Sequence, residues 1–397
     1  MKIAIIGTRG IPNNYGGFEQ FAEYLAVDLV KKGHQVVVYN SHYHTYQKSD
    51  YHGVDIVHCY DPESYLGLAG QFIYDFNCIV NTHSRNFDII VQLGYTTNSV
   101  WGFLLPRKPV IVTNMDGVEW KRSKYPPLVR WFLRHAERFA VQSSDYLVAD
   151  SVGIKSHITE LYQKSSTYIP YGSYVFEQPD PQVLDSFSLM PYKYNMLMAR
   201  LQSDNSIDVI LSGIAKAKSK MPFIVVGNHN TKYGRFLVAK YKNHDNIRFV
   251  GAIFDIEVLN NLRYFSNMYF HGHTVGGTNP SLLEAMGSNA LICAYDNIFN
   301  KAILGTDGFY FTDEADITTV ADTQQKCDHQ AILDANRKKI NTVYHWPLVL
   351  KQYEELFLNV LQKQNVLSLL PKMTISPAGS KPFFFRASQV PDQLKSE

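Results

Sequence analysis

Two short apolar runs, far apart in the chain, limit what it can fold into. KIAII at residues 2–6 and NMLMA at 195–199 are too short for helices and lack the polar alternation of a strand with one wet face. Runs of this kind are buried on both sides, as in a parallel sheet covered by helices. After the first run come a loop from Gly7 to Gly17, a helix from about Phe18 to Lys32, and a strand at 35–39. Phe21, Tyr24, Leu25, Leu29 and Val30 mark the helix's apolar face, and Lys31-Lys32-Gly33 suits its end. Strands at 88–93, 110–113 and 146–149 and a helix at 128–142 continue the alternation. The second run restarts it, with helices at 206–219, 255–265 and 280–288 and strands at 223–226, 247–250, 268–271 and 290–294.

The pattern predicts an α/β chain of two Rossmann-like parallel-sheet domains, residues 1–172 and 193–340, facing across a cleft. The segment 173–192, with Pro179, Pro181 and Pro191, reads as a linker. An amphipathic helix at 344–360 lies in a closing segment, 341–365, expected to pack back on the first domain. Residues 366–397 read as a loose tail in which Phe383-Phe384-Phe385 could dock.

A length of 397 residues accommodates two such domains, and a composition of 45% hydrophobic and 19% charged residues is that of a soluble globular protein. A formal net charge of +2 argues against a nucleic-acid partner. No run approaches the ~18 apolar residues of a membrane span. The N-terminal apolar run breaks at Gly7, too early for a secretory signal. Cys59, Cys78, Cys293 and Cys327 show no CxxC spacing; three lie in or beside apolar runs, as reduced thiols do in a cytosolic protein. A cytoplasmic location is expected.

The stretch 269–286, YFHGHTVGGTNPSLLEAM, carries the most chemistry. An apolar strand leads into His271-Gly-His273, then the loop 276–279, then an apolar helix opened by Pro280. Asn279 is a suitable N-cap, and Pro280 fits the first helical position, where its missing N–H costs nothing. A Gly-Gly loop feeding a helix N-terminus offers N–H groups and a positive dipole end to a phosphate. Glu284, about one turn in, can accept two ribose hydroxyls. In many α/β proteins such a loop serves only to make the turn. His271 and His273 lack a third ligand at metal spacing, so no metal is expected.

Gly7-Thr-Arg-Gly10 suggests a nicotinamide fingerprint, but the loop before the helix is too long for that tight turn, and the second strand ends at Asn40-Ser41 without a ribose-binding acid. Gly16-Gly17 directly precede a helix, so their N–H groups can close over a diphosphate or an acceptor hydroxyl, flanked by Tyr15 and Glu19. Arg200 follows an apolar strand at the carboxyl edge of its sheet, where a guanidinium can grip phosphate oxygens in bidentate fashion. Asn205 stands five residues on. Asp116-Gly117 occupies the equivalent edge after strand 110–113, where a carboxylate orients a hydroxyl or stabilises positive charge. Glu119, Trp120, Lys121 and Arg122 continue that site or line acceptor access.

Arg200 with its partner five residues later, followed by a loop, proline and LLEAM helix, resembles the nucleotide-sugar half of the retaining GT-B glycosyltransferases of family 4. More narrowly, GTRGIPNNYGGFE (7–19), TNMDGVEWKR (113–122) and GGTNPSLLEAM (276–286) resemble bacterial polysaccharide-assembly enzymes, among them rhamnosyltransferases. The resemblance implies a nucleotide-diphosphate sugar as donor, a glycan or lipid-linked acceptor, and no cofactor. It implies retention of configuration by same-face attack, with the departing phosphate taking the acceptor's proton. Arg200, Asp116 and Glu284 take the catalytic positions. Donor contacts fall on Arg200, Asn205, His273, Gly276, Gly277, Thr278, Asn279, Ser281 and Glu284. Two positions depart from the family: its usual lysine is Asn205, and the first glutamate of its paired motif is Gly276. Arg9 or the 276–281 backbone must then do more of the neutralising. These departures leave two alternatives open, a nucleotide-sugar 2-epimerase of the same fold and a degenerate sugar-nucleotide-binding subunit.

Residues 122–139 form a basic amphipathic segment. Arg130, Arg134 and Arg138 share one helical face, and Leu128, Trp131, Phe132, Leu133, Ala136 and Phe139 cover a broad apolar sector. Such a helix can lie on anionic lipid at the inner face of a membrane.

Overall fold

The computed structural model describes residues 1–122 and 124–369. The tail expected at 366–397, with its three phenylalanines, lies outside the described residues from 370 on. Two sheets form, one in each half. In the first, β1 (Lys2–Ile6), β2 (Gln35–Ser41), β3 (Asp50–Tyr51), β4 (Val54–Cys59), β5 (Ile89–Leu93), β6 (Val110–Asn114), β7 (Tyr146–Ala149) and β8 (Thr167–Tyr168) stand in the order 3-4-2-1-5-6-7-8. Among the described strands only the β3–β4 pair is antiparallel. In the second, β9 (Asn195–Met198), β10 (Phe223–Val226), β11 (Ile247–Gly251), β12 (Met268–His271), β13 (Ile292–Tyr295) and β14 (Phe309–Phe311) stand in the order 11-10-9-12-13-14, all parallel.

Strand order reverses between β1 and β5 in the first sheet and between β9 and β12 in the second. The crevice outside the carboxyl ends at such a reversal is where open α/β sheets bind ligands. Gly7 and Gly94 end β1 and β5, while Arg200 and His273 follow β9 and β12. A Cβ on Gly7, whose φ is +87°, would meet the Leu93 carbonyl at 2.4 Å. Glycine is therefore required where the first loop leaves its sheet.

The central strands are apolar and buried because helices cover both faces. Helix Gly17–Lys31 lies on the first sheet with Phe21, Leu25 and Leu29 against Ile3, Ile5 and Val38. Trp346, Val349, Leu350, Tyr353 and Phe357 of the last described helix, Trp346–Leu369, complete that core, so this helix packs back on the first lobe. The proline-containing stretch after Gly172 is ordered against the second lobe: Pro181–Phe187 is a 3₁₀ helix whose Leu184 is fully buried.

Several elements have no clear sequence pattern. Strand β4 has Val54, Ile56 and Cys59 buried, Asp55 exposed, and Val57 and His58 half-covered. Helix Gly70–Thr82 starts at a glycine and contains Asp75, which is buried and accepts a hydrogen bond from Thr97 Oγ1 at 2.5 Å. Cys59, Cys78 and Cys293 are buried and Cys327 is exposed, all as free thiols.

Candidate active site between the lobes

The carboxyl edges of the two sheets face and touch. A Cβ on Gly17 would lie 3.2 Å from Pro280 Cγ, and one on Gly117 would lie 3.1 Å from Gly276 Cα. Asp150, immediately after β7, bonds to the other lobe: Thr278 N–H donates to its Oδ2 at 3.1 Å, and the Thr278 hydroxyl donates to its main-chain carbonyl. Arg122 Nη1 lies 3.5 Å from Asp204 Oδ2, and Lys124 Nζ lies 3.2 Å from Gln202 Oε1. Gly16-Gly17, the turn after Asp116, the 276–280 loop and the 200–205 loop thus converge on one crevice, closed by these contacts. Surface hollows of about 460 and 440 Å³, beside Thr159 and beside Met190, lie elsewhere.

Helix Gly17–Lys31 has Gly16 as its N-cap and no side-chain cap. The Gly17, Phe18 and Glu19 N–H groups have no protein acceptor among the described residues, as the first turn of a helix requires unless something caps it. Its loop is braced within its own lobe. Asn40 bonds the Ile11 backbone twice, Glu19 accepts from Arg9 N–H at 3.0 Å, and the Arg9 guanidinium grips Glu63 at 2.8 and 3.1 Å. Glu19 is buried by this bond, and Tyr15 is exposed with the Arg9 guanidinium over its ring. Arg9 is therefore already paired.

Helix Pro280–Gly287 is capped as the sequence indicates. Asn279 Oδ1 accepts from Ser281 N–H at 3.0 Å and from its hydroxyl at 2.9 Å, with Pro280 at the first position. The Ser281 amide is thereby taken, while the N–H groups of Gly276, Gly277 and Asn279 have no protein acceptor among the described residues. Glu284 Oε2 accepts from Arg263 Nη2 at 2.6 Å, and Arg263 is fully buried. One oxygen of the expected ribose ligand is therefore occupied, and the other has no partner among the described residues.

Arg200 is exposed and forms no ion pair among the described residues. Asn205 is buried and does not face the crevice; its Nδ2 donates to the Arg200 carbonyl at 2.8 Å and braces that loop. His271 and His273 stack with centroids 4.6 Å apart. Burial holds the His271 imidazole far below its ordinary pKa. Burial and the charges of Arg122, Arg200 and Lys124 bring His273 down to about 3, so both rings are neutral at physiological pH. Among the described residues, no three histidine, cysteine or acidic side chains stand close enough to share a metal ion.

Asp116 has φ +49°, a left-handed conformation that aspartate tolerates better than most residues. Its N–H donates to Asn114 Oδ1 at 3.0 Å, and Asn114 donates in turn to the Tyr353 hydroxyl of the last helix at 2.9 Å. The buried Tyr95 hydroxyl accepts from Glu119 N–H at 3.0 Å and holds the far side of the turn. Burial raises the Glu119 carboxyl, aided by Asp116 and opposed by Arg122.

The sequence reading missed Asp150, Asp204, Arg263 and Lys124. Asp150 had a usable signal, since it follows the apolar strand YLVA as directly as Arg200 follows its own. Arg263 had none, because a charged residue in an amphipathic helix is ordinarily read as solvated.

Comparisons with known proteins bear on the fold. Residues 1–174 match a family model described as a domain of unknown function, DUF1972. No curated protein sequence matches the chain. Sucrose-phosphate synthase from Thermosynechococcus elongatus is similar with a TM-score of 0.73 at 14% identity, over 91% of this chain and 99% of that one. HepE of Anabaena, solved with UDP and glucose, gives 0.71 at 13% identity, over 90% and 100%. WaaG, a glycosyltransferase involved in lipopolysaccharide biosynthesis, gives 0.69 at 13% identity, over 90% and 99%. At such identities the likeness establishes architecture: the chain has the two-lobed GT-B fold.

Proposed function

We propose that this chain is a retaining hexosyltransferase. It moves a sugar, with rhamnose favoured by the motif resemblance to family 4, from a nucleotide-diphosphate donor to a glycan or lipid-linked acceptor in bacterial surface-polysaccharide assembly such as capsule or O-antigen. The observation that carries this reading is Arg200, exposed and without an acid partner among the described residues, at a strand-order reversal on the sheet edge where two helix N-termini meet. HepE, of the same architecture, has been solved with UDP-glucose.

The chemistry follows from charge. As the bond between the sugar and the donor phosphate breaks, negative charge grows on the diphosphate and positive charge on the ring. Arg200, the loop amides at 276–279 and the Gly17 helix N-terminus are placed to stabilise the first. Asp116 is placed to stabilise the second. The acceptor oxygen bonds to the same face of the sugar, and its proton passes to the leaving phosphate oxygen.

The test is incubation with nucleotide-sugars and a thermal-shift screen against dTDP, UDP, GDP and ADP, since a bound nucleotide raises the melting temperature. Arg200→Ala is expected to lower turnover about 10²–10³-fold; unchanged turnover would refute the site. Donor conversion without an acceptor would favour the epimerase, and binding without turnover the degenerate subunit.

The acceptor reading extends to the membrane. In helix Pro127–Ser143 the apolar sector divides: Leu133 and Ala136 are buried in the core, while Leu128 and Trp131 are 76% and 61% exposed. Arg130 and Arg134 hold Trp120, one through its carbonyl and one over its ring. Exposed apolar side chains beside arginines suit peripheral docking on anionic lipid from the cytoplasmic side. No described helix is long and apolar enough to cross a membrane. Flotation with anionic vesicles should fall when Arg130, Arg134 and Arg138 are changed to glutamate; equal binding would remove the docking surface.

A further inference from the structure

On its own lobe, Arg200 would meet a diphosphate almost alone. Asn205, where the related enzymes carry a lysine, is neutral, buried and turned back on the Arg200 carbonyl. A nucleoside diphosphate carries two or more negative charges, and partly desolvated charge of that size needs more than one cation.

A second cation comes from the other lobe. Lys124 Nζ lies 3.2 Å from Gln202 Oε1 and 3.8 Å from Asp204 Oδ2, both on the loop that Arg200 opens. The contact with Asp204 is a long ion pair, and the contact with Gln202 carries no charge. Asp204 Oδ2 is shared with Arg122 Nη1 at 3.5 Å. Arg122 is itself engaged by Glu119 at 2.7 Å. Burial pushes the Lys124 ammonium below its ordinary range, and the charges of Arg122 and Arg200 push the same way against Asp204. Arg122, Lys124 and Arg200 are thus gathered at this end of the crevice, with Asp204 and Glu119 among them. His273, which feels all three charges, has no partner for Nδ1 among the described residues, and His271, stacked on it, has none for either ring nitrogen.

We propose that Lys124 is the second diphosphate-binding cation of this site, supplied across the crevice to replace the charge that Asn205 lacks. The diphosphate then holds one cation from each lobe, Arg200 from the second and Lys124 from the first, so its binding draws the lobes shut. This rests on the crevice accepting a nucleoside diphosphate, as proposed above.

The two claims separate in one calorimetric series on the full chain. UDP, dTDP, GDP and ADP are titrated into the wild type, and the tightest is carried to the variants. If none binds the wild type, the functional reading fails with everything built on it. If one binds, Lys124→Met is expected to weaken it about 10–100-fold, the range for a charge-assisted hydrogen bond. Lys124→Arg is expected to restore most of the loss. Gln202→Ala removes the Lys124–Gln202 contact but keeps the ammonium, and should stay within about threefold of wild type. Unchanged affinity in Lys124→Met overturns the inference alone. Equal weakening in Gln202→Ala and Lys124→Met also overturns it, by making Lys124 a latch rather than a ligand. Unliganded melting curves of every variant are recorded alongside. Should Lys124→Met fail to fold, Lys124→Gln takes its place in the same comparison.

Discussion

Helices Gly17–Lys31 and Pro280–Gly287 both start at a glycine-rich turn, aim their N-termini into the crevice and touch there, yet they are prepared differently. The first is uncapped, and its loop is braced wholly by its own lobe through Asn40, Glu19 and the Arg9–Glu63 pair. The second is capped by Asn279, and the loop before it is held by Asp150 of the opposite lobe. Opening the crevice would therefore free the 276–278 loop and leave 7–17 in place. The first lobe presents a fixed set of helix amides, whereas the second presents a loop whose shape depends on closure.

Both helices also carry an inward-facing glutamate, and these differ in strength. Glu19 accepts one main-chain N–H, whereas Glu284 neutralises the fully buried Arg263. Asn260 Oδ1 at 3.1 Å and Met198 Sδ at 3.3 Å are the other contacts of that guanidinium's terminal nitrogens. Removing one partner of a buried pair strands the other charge, at a cost of about 3–5 kcal/mol. Glu284→Ala should lose stability of that order in urea denaturation. Arg200→Ala, on the exposed edge of the same lobe, should stay within about 0.5 kcal/mol. Equal losses would mean that Arg200 is structural and that the two arginines have been assigned the wrong way round.

The fold was legible because β1, β5, β9 and β12 are buried on both faces, which forces near-continuous apolar sequence. Helix Pro280–Gly287 was legible down to its cap, because Asn-Pro at a helix start has a local physical reason. Arg200 was found by its place after a strand. What could not be read were contacts set by how the lobes meet. Nothing near Lys124 says that it reaches residue 202, nor does anything near Asp150 say that it holds the Thr278 N–H. Such partners are long-range in sequence, and a single chain's periodicity carries no information about them.

The interlobe brace offers a test through pH. Burial pushes the Asp150 carboxyl up to about 8, with Asp116 adding to it and the Thr278 N–H opposing it. Tyr168 and Tyr353 also feel its charge. An ordinary aspartate titrates near 4. Between those values the folded protein holds a proton that the unfolded chain has released. Stability from this group is thus complete at low pH and falls as pH rises through about 8. An asparagine side chain cannot ionise, so Asp150→Asn should come closest to wild type near pH 4 and exceed it increasingly up to about pH 8. One pKa unit is worth about 1.4 kcal/mol, so even half of the shift separates the curves by on the order of 2–3 kcal/mol. Parallel curves from about pH 4 to 8 would show that Asp150 ionises normally and that the loop brace is a charged one.

The smallest expected effect bears most directly on the difference between the two helices. Gly16 has φ −169°, an extended backbone that any residue adopts, and a Cβ there meets nothing nearer than Glu19 Oε2 at 3.4 Å. Gly16→Ser should therefore give the Gly17 helix the side-chain cap that the Pro280 helix already has. A serine cap is worth only a few tenths of a kcal/mol over glycine, so the melting temperature should rise slightly. Its hydroxyl would occupy an amide of the first turn that the diphosphate would otherwise use, and losing one such bond weakens binding about 2- to 10-fold. Stability and affinity should thus move in opposite directions, which few surface substitutions do. If both rise, or if affinity is untouched, the uncapped helix is not part of the anion site, and the diphosphate is held by the second lobe's loop and Arg200 alone.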